Sequence, residues 1–230
     1  MNLPRASTTA ILRNVRPLVT VLRLAGAAAI VAAIVAQLAR SIDNTLDAGG
    51  DVGFVLQNFF SFFTIESNVL AVISLAVGAV LVATGRAETA GFTVFRLIAV
   101  TYMTVTFIVY NLLLRGIELP QGQTVPWSNE ILHVVGPLLV VADWLLAPGR
   151  TRLEWKRVWA VVIFPIVWAA YTLIRGPIVG WYPYPFLNPE NSDNGYLSVA
   201  FYVILIAVFI CTVAAGAIWV SKRKAILKAD

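Results

Sequence analysis

Charge is scarce in this sequence. Only 13% of its 230 residues are Asp, Glu, Lys or Arg, against about 25% in soluble domains. Hydrophobic residues make up 59%, and the mean hydropathy is +0.81. That balance excludes a soluble globule and implies a chain integral to a membrane. Cysteine occurs once, at Cys211, so neither an intrachain disulfide nor a cysteine-based metal site can form. Histidine occurs once, at His133, which argues against a zinc site. There is no GxGxxG dinucleotide loop, no Walker A phosphate loop and no GxSxG nucleophile elbow. No metal and no cofactor are therefore expected. The formal net charge of +5 does not imply nucleic acid, because the basic residues cluster at the ends of apolar runs. That pattern suits loops facing an anionic lipid surface.

Long apolar runs are what the sequence has in abundance. A spanning helix needs about 20 mostly apolar residues. Six stretches meet or approach this: 18–39, 58–83, 92–114, 129–146, 156–174 and 196–220. The first exceeds the roughly 7–15-residue core of a signal peptide, so it reads as a retained span. Turn residues fill the gaps: Gly49-Gly50, Gly85, Pro120 with Gly122, Pro148-Gly149, and the stretch from Gly176 to Gly195. No repeat divides the chain. The expected fold is all-α, a single six-helix transmembrane domain over residues 1–230.

The basic residues orient it. Arg5, Arg13, Arg16, Arg86, Arg150, Arg152, Lys156, Arg157, Lys222, Arg223, Lys224 and Lys228 fall on one side of the six spans. Only Arg40, Arg115 and Arg175 fall on the other, together with Asp43, Asp47, Asp51, Glu118, Glu190 and Asp193. The positive-inside rule then predicts a multi-pass protein of the cell membrane with both termini cytoplasmic, in keeping with an even number of spans. In the first span Ala25, Ala29 and Ala33, flanked by Ala28, Ala32 and Ala36, form small-residue stripes that favour close helix packing. Arg23, Arg96 and Asp143 all lie in the cytoplasmic half, where a structural ion pair of Asp143 with Arg96 or Arg23 is the expected neutral arrangement.

Two polar anomalies remain, both in the outer half. His133 sits in an apolar run, and an ionisable group there is a functional hypothesis by default. Gln57, Asn58, Ser61, Thr64, Glu66, Ser67 and Asn68 cluster in the second span. Both spans enter from outside. At about 1.5 Å per residue Thr64 and His133 lie roughly 9 Å and 6 Å below their starts. In one continuous helix, Ser61 and Asn68 share a face with Thr64, and Glu66 points away. Glu130 can reach His133 from one turn earlier. Pro137 leaves the His133 carbonyl without its helical donor, which predicts a kink. A hydroxyl and an imidazole at one depth are the parts of a nucleophile and its base. The bland alternative is a Thr64 hydroxyl bonded to the carbonyl four residues back. The aromatic-proline segment from Trp181 to Pro189 also has a bland reading, as an interfacial belt.

Four short pieces carry a resemblance. They are Ser61-Phe62-Phe63-Thr64-Ile65-Glu66-Ser67-Asn68, Tyr110-Asn111-Leu112-Leu113-Leu114-Arg115, His133-Val134-Val135-Gly136-Pro137 and Tyr184-Pro185-Phe186-Leu187. In order and spacing, over about residues 55 to 190, the chain resembles the androgen-induced-gene family of membrane threonine hydrolases, and most the bacterial six-helix proteins grouped with it. The resemblance implies intramembrane hydrolysis of acyl-ester lipids, with the essential threonine and histidine falling on Thr64 and His133. On that reading Thr64 attacks the ester and His133 shuttles the proton. Asn68, Asn111, Ser61 and Glu130 are the candidates for binding the oxyanion or positioning the substrate. The alternatives are a membrane transporter working through Glu66 and the polar stripe, or a structural membrane protein without catalysis. The expected partners are the bilayer and an acyl-ester lipid, and not nucleic acid.

Overall fold

The computed structural model describes residues 15–117 and 124–223. Arg5, Arg13, Glu118, Pro120, Gly122, Lys224 and Lys228, used above for orientation and turns, lie outside them. The described chain is helical throughout its ordered elements: α1 (Val15–Asp47), α2 (Val52–Ser61), α3 (Phe63–Ala83), α4 (Ala90–Val109), α5 (Pro126–Glu130), α6 (Gly136–Leu146), α7 (Val158–Val179) and α8 (Tyr196–Ser221). Single π-turns continue α4 through Tyr110–Leu114 and join α5 to α6 through Ile131–Val135. Six helical rods are long and apolar enough to cross a membrane: Val15–Asp47, Phe63–Ala83, Ala90–Leu114, Pro126–Leu146, Trp155–Val179 and Tyr196–Ser221. The protein is an all-α polytopic bundle.

The third, fourth and sixth expected spans match a rod to within three residues at each end, and the first and fifth are outrun by theirs, Val15–Asp47 and Trp155–Val179. The second is broken. At Phe62 the backbone turns extended (φ −71°, ψ 123°), ending α2 and starting α3. The polar cluster from Gln57 to Asn68 is thus divided between two helices. At 33 residues, α1 is about 50 Å long and outruns a bilayer core of about 30 Å.

The rods alternate in direction. One end of the bundle, where α1 begins and α8 finishes, is called the basal end below; the other is the distal end. α1 packs on α3 and α3 on α4; α4 touches α6 and α8, and α7 closes against α8. Outward positions are apolar, as lipid-facing positions must be: Trp159, Ile163, Ile166, Val167, Ile174 and Ile178 on α7 are all exposed. The buried stripe of α1 is Val19, Arg23, Gly26, Ala27, Ile30 and Ala33. Ala25, Ala28 and Ala32, expected to pack, face outward instead. The close approach is made at Gly26, where a Cβ would stand 2.8 Å from the Leu139 side chain of α6.

A charged knot fastens the basal half. Arg23 donates through Nε to Asp143 Oδ1 at 2.7 Å and through a terminal nitrogen to the Gly78 carbonyl at 2.7 Å. Arg96 donates to Asp143 Oδ2 at 2.7 Å and to Glu88 Oε1 at 2.6 Å. The two guanidiniums are 1% and 2% exposed. Asp143 therefore pairs with both arginines rather than one, and Glu88, just ahead of α4, makes the set two cations and two anions. Gly78 leaves the space that Arg23 occupies, since a Cβ there would stand 2.8 Å from its guanidinium.

Removing one member strands the others without water. Asp143→Ala is expected to destabilise the bundle by about 3–5 kcal/mol, read as a lower Tm in detergent and a lower yield of folded protein. A variant with unchanged Tm and abolished activity would show instead that Asp143 serves the chemistry.

Candidate active site

The break at Phe62 decides what Thr64 can do. The Phe62 ring is held edge-on by Trp181 and Tyr184, with centroids 5.4 Å and 5.9 Å away. Phe63 packs on Tyr102 and Trp168. The break strands backbone groups on either side. The Ser61 carbonyl accepts from Trp168 Nε1 at 3.0 Å. The Thr64 amide, in the first turn of α3, donates to the Tyr184 hydroxyl at 3.1 Å. The Thr64 hydroxyl lies 3.2 Å from that same phenol oxygen. Thr101 and Thr104 spend their hydroxyls on carbonyls four residues back. Thr64, which is 7% exposed, does not, so the bland reading of it fails.

His133 sits in the second irregularity. In the π-turn the Gly136 amide reaches back five residues to the Ile131 carbonyl. The Leu132 carbonyl then has only Pro137, which lacks an N–H, at the same spacing. It accepts from Asn68 Nδ2 instead, at 3.1 Å. The expected kink is thus a π-turn, and the carbonyl engaged from another helix is that of Leu132. The imidazole Nδ1 lies 3.0 Å from the Asn129 carbonyl. A carbonyl only accepts, so Nδ1 carries the hydrogen and the neutral ring keeps its lone pair on Nε2. The ring stacks on Tyr110, centroids 4.1 Å apart, and Asn129 Nδ2 donates to the Tyr110 hydroxyl. Two π-turns on neighbouring rods thus carry the stacked pair.

Thr64 and His133 line one cavity of about 900 Å³, which also reaches Gln37, Ser41 and Asn58. A second, apolar cavity of about 300 Å³ runs between α4, α7 and α8, past Val105, Trp168, Val203 and Ile206. Thr64, Tyr110 and Tyr184 line both. Thr64 and His133 make no direct hydrogen bond to each other: the threonine hydroxyl faces Tyr184, and the imidazole is tied to Asn129.

The other expected site residues are placed differently. Asn68 donates to the Thr64 carbonyl at 2.8 Å as well as to Leu132, so its amide hydrogens clamp α3 to the π-turn and none is left for an oxyanion. Asn111 donates to the Phe107 carbonyl at 2.8 Å on its own helix. Ser61 belongs to α2, donates to the Gln57 carbonyl at 2.7 Å and meets the Tyr171 hydroxyl at 3.1 Å. Glu130 turns to Arg115, both of its oxygens 2.8 Å from one guanidinium nitrogen, so it does not orient His133. The Asn129 carbonyl does. Tyr184 was hidden in a segment whose composition suits any membrane interface. Burial pushes its phenol up to about 12, against the pull of the Thr64 hydroxyl and amide.

No group of three His, Cys, Asp or Glu among the described residues is placed to hold a metal ion. Comparison with family models, curated proteins and solved structures returns no match for this chain.

Gly136 has no room for a side chain. A Cβ would stand 2.8 Å from the Ile131 carbonyl oxygen and 3.3 Å from Ile30. Gly136→Ala is expected to cost about 1–3 kcal/mol through overpacking. Glu130→Ala, at a half-exposed pair, should cost less than about 1 kcal/mol. Thermal unfolding of the two variants side by side checks this, and equal losses would contradict the placement of the π-turn.

Proposed function

We propose that this chain is an intramembrane ester hydrolase of the androgen-induced-gene kind, with Thr64 as nucleophile and His133 as general base. One observation carries the reading: a threonine hydroxyl free of its own helix lines the same cavity as a histidine whose Nε2 has no partner among the described residues. A hydroxyl is a weak nucleophile until a base takes its proton, and a neutral imidazole with a lone pair on Nε2 is suited to that. The paired cavities fit an acyl-ester lipid. The apolar one takes an acyl chain, and the larger one takes the alcohol side and water. The transport reading keeps one feature, the Oε2 of Glu66, buried and without a partner among the described residues, but the polar stripe it needs is broken at Phe62.

The reading includes an orientation. Arg16, Arg86, Arg150, Arg152, Lys156, Arg157, Lys222 and Arg223 collect at the basal end, while Arg40, Arg115 and Arg175 lie towards the distal end. Lys222 lies over Trp155 and Arg223 over Trp219, a basic and aromatic rim of the kind found at a membrane surface. The basal end is then cytoplasmic, in the cell membrane, and the site opens in the outer half. Reporter fusions after Asp230 and in the loop around Arg152 should read cytoplasmic, and one near Asn191 external. A cytoplasmic reading near Asn191 would invert the site's leaflet.

The catalytic pair is tested by hydrolysis of a long-chain fluorogenic acyl ester by purified protein. Thr64→Ala and His133→Ala should each bring turnover to background with the bundle folded. The double variant should be little worse than either single one, because residues acting as a unit are not additive. Full turnover in Thr64→Ala would sink the assignment.

A further inference from the structure

We propose that Tyr184 is a third catalytic residue of this hydrolase, its phenol O–H donating to the oxyanion formed when Thr64 attacks the ester. The inference rests on the hydrolase reading and adds to it a residue that neither the Thr64–His133 pairing nor the asparagine candidates supply.

The hydrogen-bond arithmetic around the phenol oxygen leads here. That oxygen accepts the Thr64 amide at 3.1 Å and lies 3.2 Å from Thr64 Oγ1. Either hydroxyl can donate across the 3.2 Å contact; in the arrangement with the phenol as donor, its hydrogen meets Thr64 Oγ1. Thr64 then keeps its own hydrogen free for His133. A carbonyl carbon brought up to Oγ1 necessarily brings its oxygen into the same neighbourhood. The phenol hydrogen is there before the charge develops, which is the condition for a donor to favour the transition state over the ground state.

The step balances. Thr64 Oγ1 bonds to the carbonyl carbon, the π pair of the carbonyl moves onto its oxygen, and the threonine proton passes to His133 Nε2. Tyr184 donates a hydrogen bond to that oxygen and keeps its proton. The pair then returns to remake the carbonyl, the bond to the alcohol oxygen breaks, and His133 gives its proton to the departing alcohol. Water attacks the Thr64 ester by the same sequence, with His133 as base and Tyr184 again holding the oxyanion, which releases the fatty acid.

Position, rigidity and competition agree with this role. Tyr184 lines both cavities, at the junction where an ester must lie if its acyl chain fills the apolar one. Its ring stacks on Phe186, centroids 5.4 Å apart and planes 8° from parallel, with Phe62 and Trp168 on other sides. With the ring so held, only the hydroxyl hydrogen has to turn, from Thr64 Oγ1 to the new oxyanion. Both amide hydrogens of Asn68 go to backbone carbonyls, and one of Asn111's does.

Tyr184→Phe keeps the ring and its contacts and deletes only the hydroxyl. The expected result is a fall in kcat of about 100- to 1000-fold on a long-chain acyl ester, with KM changed by less than about three-fold. Thermal unfolding runs alongside. If this variant fails to fold, 3,5-difluorotyrosine at position 184 replaces it. That ring keeps the hydroxyl but ionises more readily, so kcat should fall at a lower alkaline pH than in the parent. A parent that hydrolyses the ester through Thr64 while Tyr184→Phe keeps its kcat within about two-fold would overturn the role of Tyr184 alone. So would a difluorotyrosine enzyme with an unshifted pH profile. A parent without hydrolysis, or one indifferent to Thr64→Ala, would overturn the hydrolase reading and Tyr184 with it.

Discussion

A backbone amide or carbonyl inside a bilayer has no water to turn to, so wherever a spanning helix is interrupted some other group must take its place. Two of the interruptions in this bundle are neighbours, Phe62 and the π-turn at Ile131–Val135. Each stranded group described above finds a partner on another rod or in the α7–α8 connection. Trp168 takes the Ser61 carbonyl, Tyr184 takes the Thr64 amide, and Asn68 takes the Leu132 carbonyl. The candidate site is built from those repairs. Thr64 has a hydroxyl to spare because the helix starts beside it. His133 stands against a cavity because its helix is locally widened, and π-turns recur at functional sites for that reason. Asn68 ties the two irregularities together, its one amide bridging the Thr64 and Leu132 carbonyls.

The two halves of the bundle divide the work. The basal half is fastened by Arg23, Arg96, Asp143 and Glu88, with Gly26 and Gly78 allowing the close approaches. Charges there are paired and buried, which fixes geometry without offering a reactive group. The distal half is more open, with a polar cavity on one side of Thr64 and an apolar cavity on the other. The bundle is thus tight at its base and hollow beside Thr64.

Much of this was legible in the sequence. Scarce charge and six apolar runs specify the class, and hydropathy is an additive property that a window can sum. Thr64 and His133 stand out because polar groups are rare in such runs, and the depth argument needs only a rise per residue. Arg23, Arg96 and Asp143 share a level for the same reason. Features that depend on tertiary repair were not legible. Phe62 looks like any apolar residue in a span, and only Trp181 and Tyr184 packed on its ring show why the helix yields there. Asn68 reads as a free donor until Leu132 is seen to need one. Glu130 is near His133 in sequence, but Arg115 claims it. Glu88 reads as a loop residue until Arg96, eight residues on, is seen to pair with it, and Tyr184 reads as an interfacial aromatic until it meets Thr64, 120 residues earlier.

The claim on which this account turns is that Thr64 is a nucleophile rather than a packed hydroxyl. The direct measurement is treatment of the purified protein with a long-chain fluorophosphonate, followed by mass spectrometry of the labelled peptide. The account predicts a single phosphonylated residue, Thr64, with labelling lost in Thr64→Ala and strongly slowed in His133→Ala. Labelling elsewhere in the chain, or labelling untouched by Thr64→Ala, would contradict it.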